Sequence, residues 1–401
     1  MEYQQYFSFA IAGETIFGSG SIKYLPQVLH DKLRVKRPLL ISDQGVVSAG
    51  HLDTVIQCLE KEQISFEKFD EVEPEPSIEN VLACAEKNES KGCDSVVAIG
   101  GGSVIDLAKV TSVLLKYGGD IRDFFGQENV PGETLPLVAV STTAGTGSEV
   151  SAGAVLTDVE GNTKVGVRSN YLRPRIALFD PMLTLSCPKS VTAATGFDVL
   201  AHAVESYTMI DHTCMPKGTV IFYGTNPITE SLATAAIKLV GQYLRIAVHQ
   251  GHNRVAREKM MLANFLAGSA FSNSGVTHAH FISYPVGAKT HAPHGVLLAP
   301  LVPAVLDFNL PTRMDRLAHV AALMGENVEG LSSRDAAKRG IDAIRHLIKD
   351  IQLPSRLREI GLKKEDIPEM AEIAMPILES LPGNPRGITM EELVEIYHRA
   401  F

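Results

Sequence analysis

The chain has 401 residues and a formal net charge of −9, with 45% hydrophobic and 21% charged residues. This is ordinary globular composition at a length that suits two domains, and the acidic balance argues against nucleic acid or an anionic membrane surface as a partner. The five cysteines, Cys58, Cys84, Cys93, Cys187 and Cys214, are odd in number and form no C-x-x-C pair, which reads as free thiols in a reducing cytosol. The first residues show no basic stretch followed by an apolar run. No stretch approaches the ~20 apolar residues of a membrane span, so a cytoplasmic location is expected.

The first half alternates strand-like and helix-like segments. RPLLISD (37–43) is a short apolar run ending in a polar turn, and TVIQCLEKEQ is an amphipathic helix. SFEKFDEV reads as a strand and SIENVLACAEKNES as a helix with Ser77 at its N-cap. DSVVAIGGG is a buried strand ending in glycines; SVIDLAKVTSVLLKYGG is a helix closed by Gly118 and Gly119. LPLVAVSTTAGTGSEVS is an apolar strand running into a loop of small residues. VEGNTKVGVRSN looks like a hairpin or loop excursion, and RIALFDP is a strand. This order predicts a parallel sheet with helices on both faces. Beyond Pro181 long 3.6-period stretches dominate, at 190–208, 226–248, 253–271, 296–308, 333–350, 366–379 and 389–400. The predicted organisation is an α/β domain over 1–188 and an all-helical domain over 189–401.

The strand–glycine–helix order of SVVAIGGGSVIDLAK suits a diphosphate. Glycine lets the backbone approach closely, and the helix start offers free N–H groups and a positive dipole end. The spacing is not the Rossmann fingerprint, because Ile105 stands where the third glycine belongs, and no GKS or GKT follows. A tight strand–helix turn is the alternative reading. The second loop, STTAGTGSEVSAG, carries hydroxyls after the next strand, so the two loops point to one crevice at the carboxyl ends of the sheet. Asp43 closes the strand LLIS; it is either an acceptor for ribose hydroxyls or a turn-forming residue.

Four of the thirteen histidines fall in HAHFISYPVGAKTHAPH (278–294). A cluster of imidazoles of this kind suggests a metal. In ATGFDVLAHAVESYT (194–208), Asp198 and His202 project from one face of a helix among apolar neighbours. A buried carboxylate is costly unless paired or ligated, so either an Asp–His ion pair or a shared cation resolves it. One carboxylate with imidazoles and no thiolate suits Fe(II), Zn(II) or Co(II). HExxH is absent.

GGGSVIDLAK, STTAGTGSE, ATGFDVLAHAVESY, AFSNSG, APHG and the late GNPRGIT, in this order, closely resemble the iron-containing (group III) alcohol dehydrogenases. The resemblance runs from about residue 8 to the end. It implies NAD in the α/β domain, a divalent iron (zinc possible) in the helical domain, substrate in the cleft between them, and a homodimer or larger assembly. Residue by residue it implies metal ligands at Asp198, His202, His280 and His294. It implies cofactor contacts at Asp43, Gly101, Gly102, Ser103, Thr142, Thr143, Thr146 and Val155, with Lys164 near the ribose and nicotinamide, and a substrate-facing Phe271. Asp43 resembles the NAD-preferring members.

Two features depart from the commonest family pattern. Tyr284 stands where many members have a further His, so it is either part of the proton relay or a packed aromatic; proton delivery otherwise runs through the ribose, water or a nearby His, and His278 and His291 are then non-ligands that support a ligand or face the substrate. Residues 209–225 look like an insertion. Both features resemble the hydroxyacid–oxoacid transhydrogenase branch, and His212, Lys217, Arg168, Lys289 and His291 are candidates for a pocket that takes an acidic substrate. The expected activity is hydride transfer between NAD(H) and a small alcohol or aldehyde, including one bearing a carboxylate, sulfonate or phosphonate. The alternatives are a transhydrogenase with retained nicotinamide and a non-catalytic metal- or nucleotide-binding or filament-forming protein. A lyase of the glycerol-1-phosphate or dehydroquinate synthase type fits the motifs less well.

Overall fold

The structure, a computed structural model, describes residues 2–161 and 163–401. They form two compact units, Ala10–Cys187 and Pro188–Phe401, the latter taking in residues 2–9 as well.

The first unit holds nine strands: β1 (Glu14–Phe17), β2 (Pro38–Ile41), β3 (Glu67–Phe69), β4 (Ser95–Gly100), β5 (Gly126–Gln127), β6 (Leu137–Ser141), β7 (Gly153–Asp158), β8 (Thr163–Arg168) and β9 (Ile176–Phe179). Six of them form one sheet in the order β1-β9-β6-β4-β2-β3, parallel throughout. Strands buried on both faces read as unbroken apolar runs, and β2, β4, β6 and β9 are buried at every position. Alternate residues face opposite ways. Leu39, Ile41, Val96, Ala98 and Ala139 join one core with the helices Ile78–Asn88 and Gly102–Tyr117. Leu40, Val97, Ile99, Val138 and Val140 join the other with the helix His51–Lys61. Each fully buried aliphatic side chain contributes roughly 1.5–3 kcal/mol.

Ser77 caps its helix by accepting from Asn80 N at 3.1 Å, and Gly118, at φ 65°, ends the helix Gly102–Tyr117, both as predicted. The excursion after the second loop is a hairpin, β7 antiparallel to β8, with β5 added parallel on the far side of β8. Strand β1 escaped the sequence reading. It is a four-residue edge strand with mixed exposure and carries no buried apolar run.

The second unit is helical: Lys189–Thr208, Pro227–His249, Arg254–Ser274, His278–Thr290, His294–Leu323, Ser333–Asp350, Ile367–Glu379 and Met390–Ala400. Two of these differ from the periodicity. His278–Thr290 is a helix that the sequence pattern does not announce, because Pro285 stands inside it. The 296–308 stretch is part of the 30-residue helix His294–Leu323, which continues through Pro300, Pro303 and Pro311 and kinks at Arg313. By length and composition this helix passes for a membrane span, against the sequence expectation, but most of its apolar stretch is buried. It packs against Lys189–Thr208, His278–Thr290, Ser333–Asp350 and Met390–Ala400. It is the core helix of this unit.

Segment 209–225 is tied to the first residues of the chain. Gln4 N donates to Met215 O at 2.8 Å, Lys217 N donates to Glu2 O at 3.0 Å, and Phe7 meets the His212 ring edge-on at 5.0 Å.

Candidate metal centre and nucleotide-binding turn

The helix Lys189–Thr208 presents Asp198 and His202 one turn apart, both buried. The helix His278–Thr290 brings His280, and the first residue of His294–Leu323 brings His294. Asp198 Oδ1 lies 3.6 Å from His202 Nδ1, 3.5 Å from His280 Nε2 and 3.9 Å from His294 Nε2. With metal–ligand bonds near 2.1 Å, two donors on one tetrahedral ion sit roughly 3.4 Å apart, so these separations fit a shared cation.

The donor atoms of Asp198, His280 and His294 all lie within 4.8 Å of one another. His202 adjoins that set, its ring stacked at 4.5 Å on His280 and at 4.0 Å on Phe271. Asp198 Oδ1 and His280 Nε2 are buried without a hydrogen-bond partner, the condition expected of ligand atoms in a buried polar site. The donor chemistry therefore fits a divalent iron or zinc.

Electrostatics agree. Burial alone would raise the Asp198 carboxyl, but His202, His280 and His294 outweigh it and hold it at about 2. Burial works against a charged His280, but the Glu205 and Asp198 carboxylates win and raise it to about 10. A cation at Nε2 would take the place of that proton. His278, by contrast, is lowered to about 4 by burial alone. The His294 side chain is 35% exposed whereas those of Asp198 and His280 are each 5% exposed, so the cluster opens toward His294.

Glu205 is the residue that sequence reading missed. It is fully buried and receives His280 Nδ1, Thr277 Oγ1 at 2.6 Å and Ala279 N at 3.1 Å. The signal was present, since Asp198, His202 and Glu205 run i, i+4, i+7 along one helix face.

Tyr284 packs edge-on to Phe281, and its ring centroid is 6.3 Å from that of His294. His291 is an exposed helix C-cap at φ 55°, its N–H bonded to Gly287 O. Lys217 is exposed and paired with Glu2 at 2.6 Å, and Lys289 is paired with Glu369 at 3.0 Å and Asp366 at 3.4 Å.

In the first unit, β4 and β6 are neighbours, and Thr142 N donates to Gly100 O at 3.0 Å. The two small-residue loops therefore meet. A Cβ on Gly101 would come within 3.2 Å of Thr143 Oγ1, and one on Gly102 within 2.6 Å of Thr146 Cγ2. A Cβ at either position would crowd a threonine side chain of the other loop, most severely at Gly102, and close backbone approach is also what a diphosphate-binding turn needs. Ser103 Oγ accepts from Glu75 N at 3.2 Å. Asp43 Oδ1 caps the short helix Gln44–Ser48 by accepting from Val46 N at 2.9 Å, which is the geometry of the turn-forming reading and engages one of its two oxygens. Lys164 Nζ bonds Glu75 Oε2 at 2.8 Å and Thr157 Oγ1 at 2.9 Å, and Arg168 ends β8 opposite Gly153.

Two unpredicted residues brace the second loop. Asp106 receives Ser148 Oγ and, at 2.9 Å, Val155 N. Lys109, fully buried, donates to Ser151 O, Ser151 Oγ and Gly153 O at 2.7–3.0 Å.

Residues 12–181 match the family model for iron-containing alcohol dehydrogenase, and residues 192–401 match the C-terminal model of the Fe-containing alcohol dehydrogenase family. The chain is 36% identical to the 1,3-propanediol dehydrogenase of Klebsiella pneumoniae over 403 residues, covering all of both chains. It is 34% identical to the NAD-dependent methanol dehydrogenase of Bacillus methanolicus, covering 98% of this chain and 99% of that one. Among solved structures it superposes on the alcohol dehydrogenase from Oenococcus oeni with a TM-score of 0.92 at 36% identity, covering 99% of this chain and 100% of the other.

Proposed function

The chain belongs to the iron-containing alcohol dehydrogenase family, and from that premise we propose that it transfers a hydride between NAD(H) and a small alcohol or aldehyde, using a divalent iron at Asp198, His202, His280 and His294. The single observation that carries the reading is the convergence of three imidazoles within 3.9 Å of one buried carboxylate oxygen. When bound there, a divalent ion supplies Lewis acidity toward the substrate oxygen, and NAD supplies the hydride acceptor.

The residues have distinct tasks. Asp198 contributes the negative charge that, with three neutral imidazoles, favours a dication over a proton. Phe271, stacked on His202, covers that imidazole with an apolar face and helps exclude water beside it. Gly101, Gly102, Ser103, Thr142, Thr143 and Thr146 form the turn that receives the dinucleotide, braced through Asp106 and Lys109. Asp43 Oδ2, with Oδ1 engaged as the cap, is the acceptor for a ribose hydroxyl and disfavours a 2′-phosphate. Val155 and Lys164 lie on the hairpin beside the braced loop and complete the cofactor contacts. Tyr284 Oη and His291 are the groups that take up or release the hydroxyl proton as alcohol and NAD⁺ pass to aldehyde, NADH and H⁺.

Neutral substrates are favoured over acidic ones. Lys217 and Lys289 are already neutralised by carboxylates, and the propanediol and methanol enzymes among the relatives are named for neutral alcohols, whereas the sulfoacetaldehyde reductase of Bilophila wadsworthia, 33% identical over 96% of this chain, is named for an acid-bearing aldehyde. An acidic substrate would then rely on Arg168, His212 or His291. We assign the enzyme to a soluble compartment as a homodimer or larger assembly. NADH oxidation with a panel of small neutral and acid-bearing aldehydes tests the proposal: turnover is expected with neutral aldehydes, while activity only with an oxoacid co-substrate would favour the transhydrogenase reading.

A further inference from the structure

We propose that Glu205 is a positioning residue that fixes His280 in the tautomer and orientation needed to present Nε2 to a metal. The inference rests on the metal reading above and adds a residue to it.

Three groups converge on the Glu205 carboxylate: His280 Nδ1 at Oε2, and Thr277 Oγ1 and Ala279 N at Oε1. Ala279 N is an obligate donor, and Thr277 has a hydroxyl proton to give. An ionised carboxylate is the one side chain of this size that accepts at both oxygens. His280 Nδ1 therefore carries its proton toward Glu205, and Nε2, the atom that lies 3.5 Å from Asp198 Oδ1, is the nitrogen left to exchange its proton for a metal. A metal-ligating imidazole is held in this way by a partner at its other nitrogen.

The placement is also local. Glu205 sits on the same helix as Asp198 and His202, seven and three residues on, so one helix carries two proposed ligands and the support of a third. Thr277 and Ala279 flank the start of the helix His278–Thr290. Their bonds to Glu205 fix where that helix begins, and hence where His280 points. Thr277 is the residue just before the helix, and its hydroxyl is spent on Glu205 rather than on the helix's own N–H groups.

Glutamine at 205 breaks the arrangement without changing its size. Its NH₂ must face either His280 Nδ1 or the Thr277 and Ala279 donors. If it faces His280, the imidazole accepts at Nδ1 and moves its proton to Nε2, which blocks metal binding. If it faces the other two, Ala279 N is left unsatisfied and the helix start loosens. A purely structural Glu205 would lower the stability of the folded chain but leave metal affinity of the folded protein unchanged.

The experiment is Co(II) titration of the full-length apoprotein, followed by the d–d absorption of the bound ion, with folding checked by circular dichroism. Wild type is expected to take up one Co(II), and folded Glu205→Gln to bind it roughly 10- to 100-fold more weakly. Wild-type affinity in folded Glu205→Gln would overturn the proposal. If that variant does not fold, Thr277→Val carries the test, because it keeps the carboxylate and removes one of its anchors. It is expected to weaken Co(II) binding several-fold, and unchanged affinity would overturn the proposal. Failure of wild type itself to bind Co(II) would instead remove the metal reading, and this inference with it.

Discussion

Gly295 follows the ligand-type residue His294 directly, and its substitution gives a sharp test of how the cluster is assembled. A Cβ there would lie 2.1 Å from Ala194 O and 2.7 Å from Ala194 C. Both are backbone atoms of the helix Lys189–Thr208, one turn before Asp198. A carbon–oxygen contact needs roughly 3.3 Å, so Gly295→Ala must separate the two helices by about 1 Å at this point. His294 Nε2 is 3.9 Å from Asp198 Oδ1, and a site of this kind tolerates displacements of only about 0.5 Å. In an unobstructed helix the same change would stabilise by up to ~1 kcal/mol. Overpacking instead costs roughly 1–3 kcal/mol. The expected outcome is a net loss of up to about 2 kcal/mol and at least ~10-fold weaker metal binding. Gly387→Ala is the control, since nothing lies within 4 Å of its Cβ position, and it is expected to be neutral. The assay is thermal unfolding with and without metal, together with metal titration. Gly295→Ala that melts at or above the wild-type temperature and keeps wild-type metal affinity would refute the argument.

Gly102→Ala tests the other site: a Cβ 2.6 Å from Thr146 Cγ2 should force the two loops apart and weaken NADH binding by fluorescence titration, with metal content unchanged. Asp43→Gly should relax the preference for NAD over NADP while costing only a few tenths of a kcal/mol in the lost cap; unchanged cofactor preference would reduce Asp43 to its capping role. His280→Ala or His294→Ala should abolish turnover through loss of metal, and a variant with full metal occupancy and near-normal rate would defeat the assignment of ligands.

The parts of this protein that were legible in its sequence are those set by short-range rules. Buried parallel strands read as apolar runs at β2, β4, β6 and β9, and the glycine turn announced itself because β4 stops at Gly100. Asp198 and His202 stood out because four residues make one helical turn. The reading stopped one step short of Glu205, whose role depends on a helix brought in from 75 residues away. The helix His278–Thr290 was hidden by Pro285, and the continuation of His294–Leu323 by three prolines, of which Pro300 and Pro303 are buried in the core. Asp106 and Lys109 were invisible for the same reason as Glu205: their partners, Ser148, Ser151, Gly153 and Val155, lie more than 40 residues on. Lys217 and Lys289 looked like cations for an acidic substrate because a sequence does not reveal which carboxylate each one meets.

Metal-dependent hydride transfer is tested by NADH oxidation with a small neutral aldehyde as metal is removed and restored. The account predicts that chelation abolishes the reaction, that Fe(II) restores it, and that Asp198→Ala is inactive under both conditions. Undiminished turnover in metal-free protein, verified by elemental analysis, would contradict it.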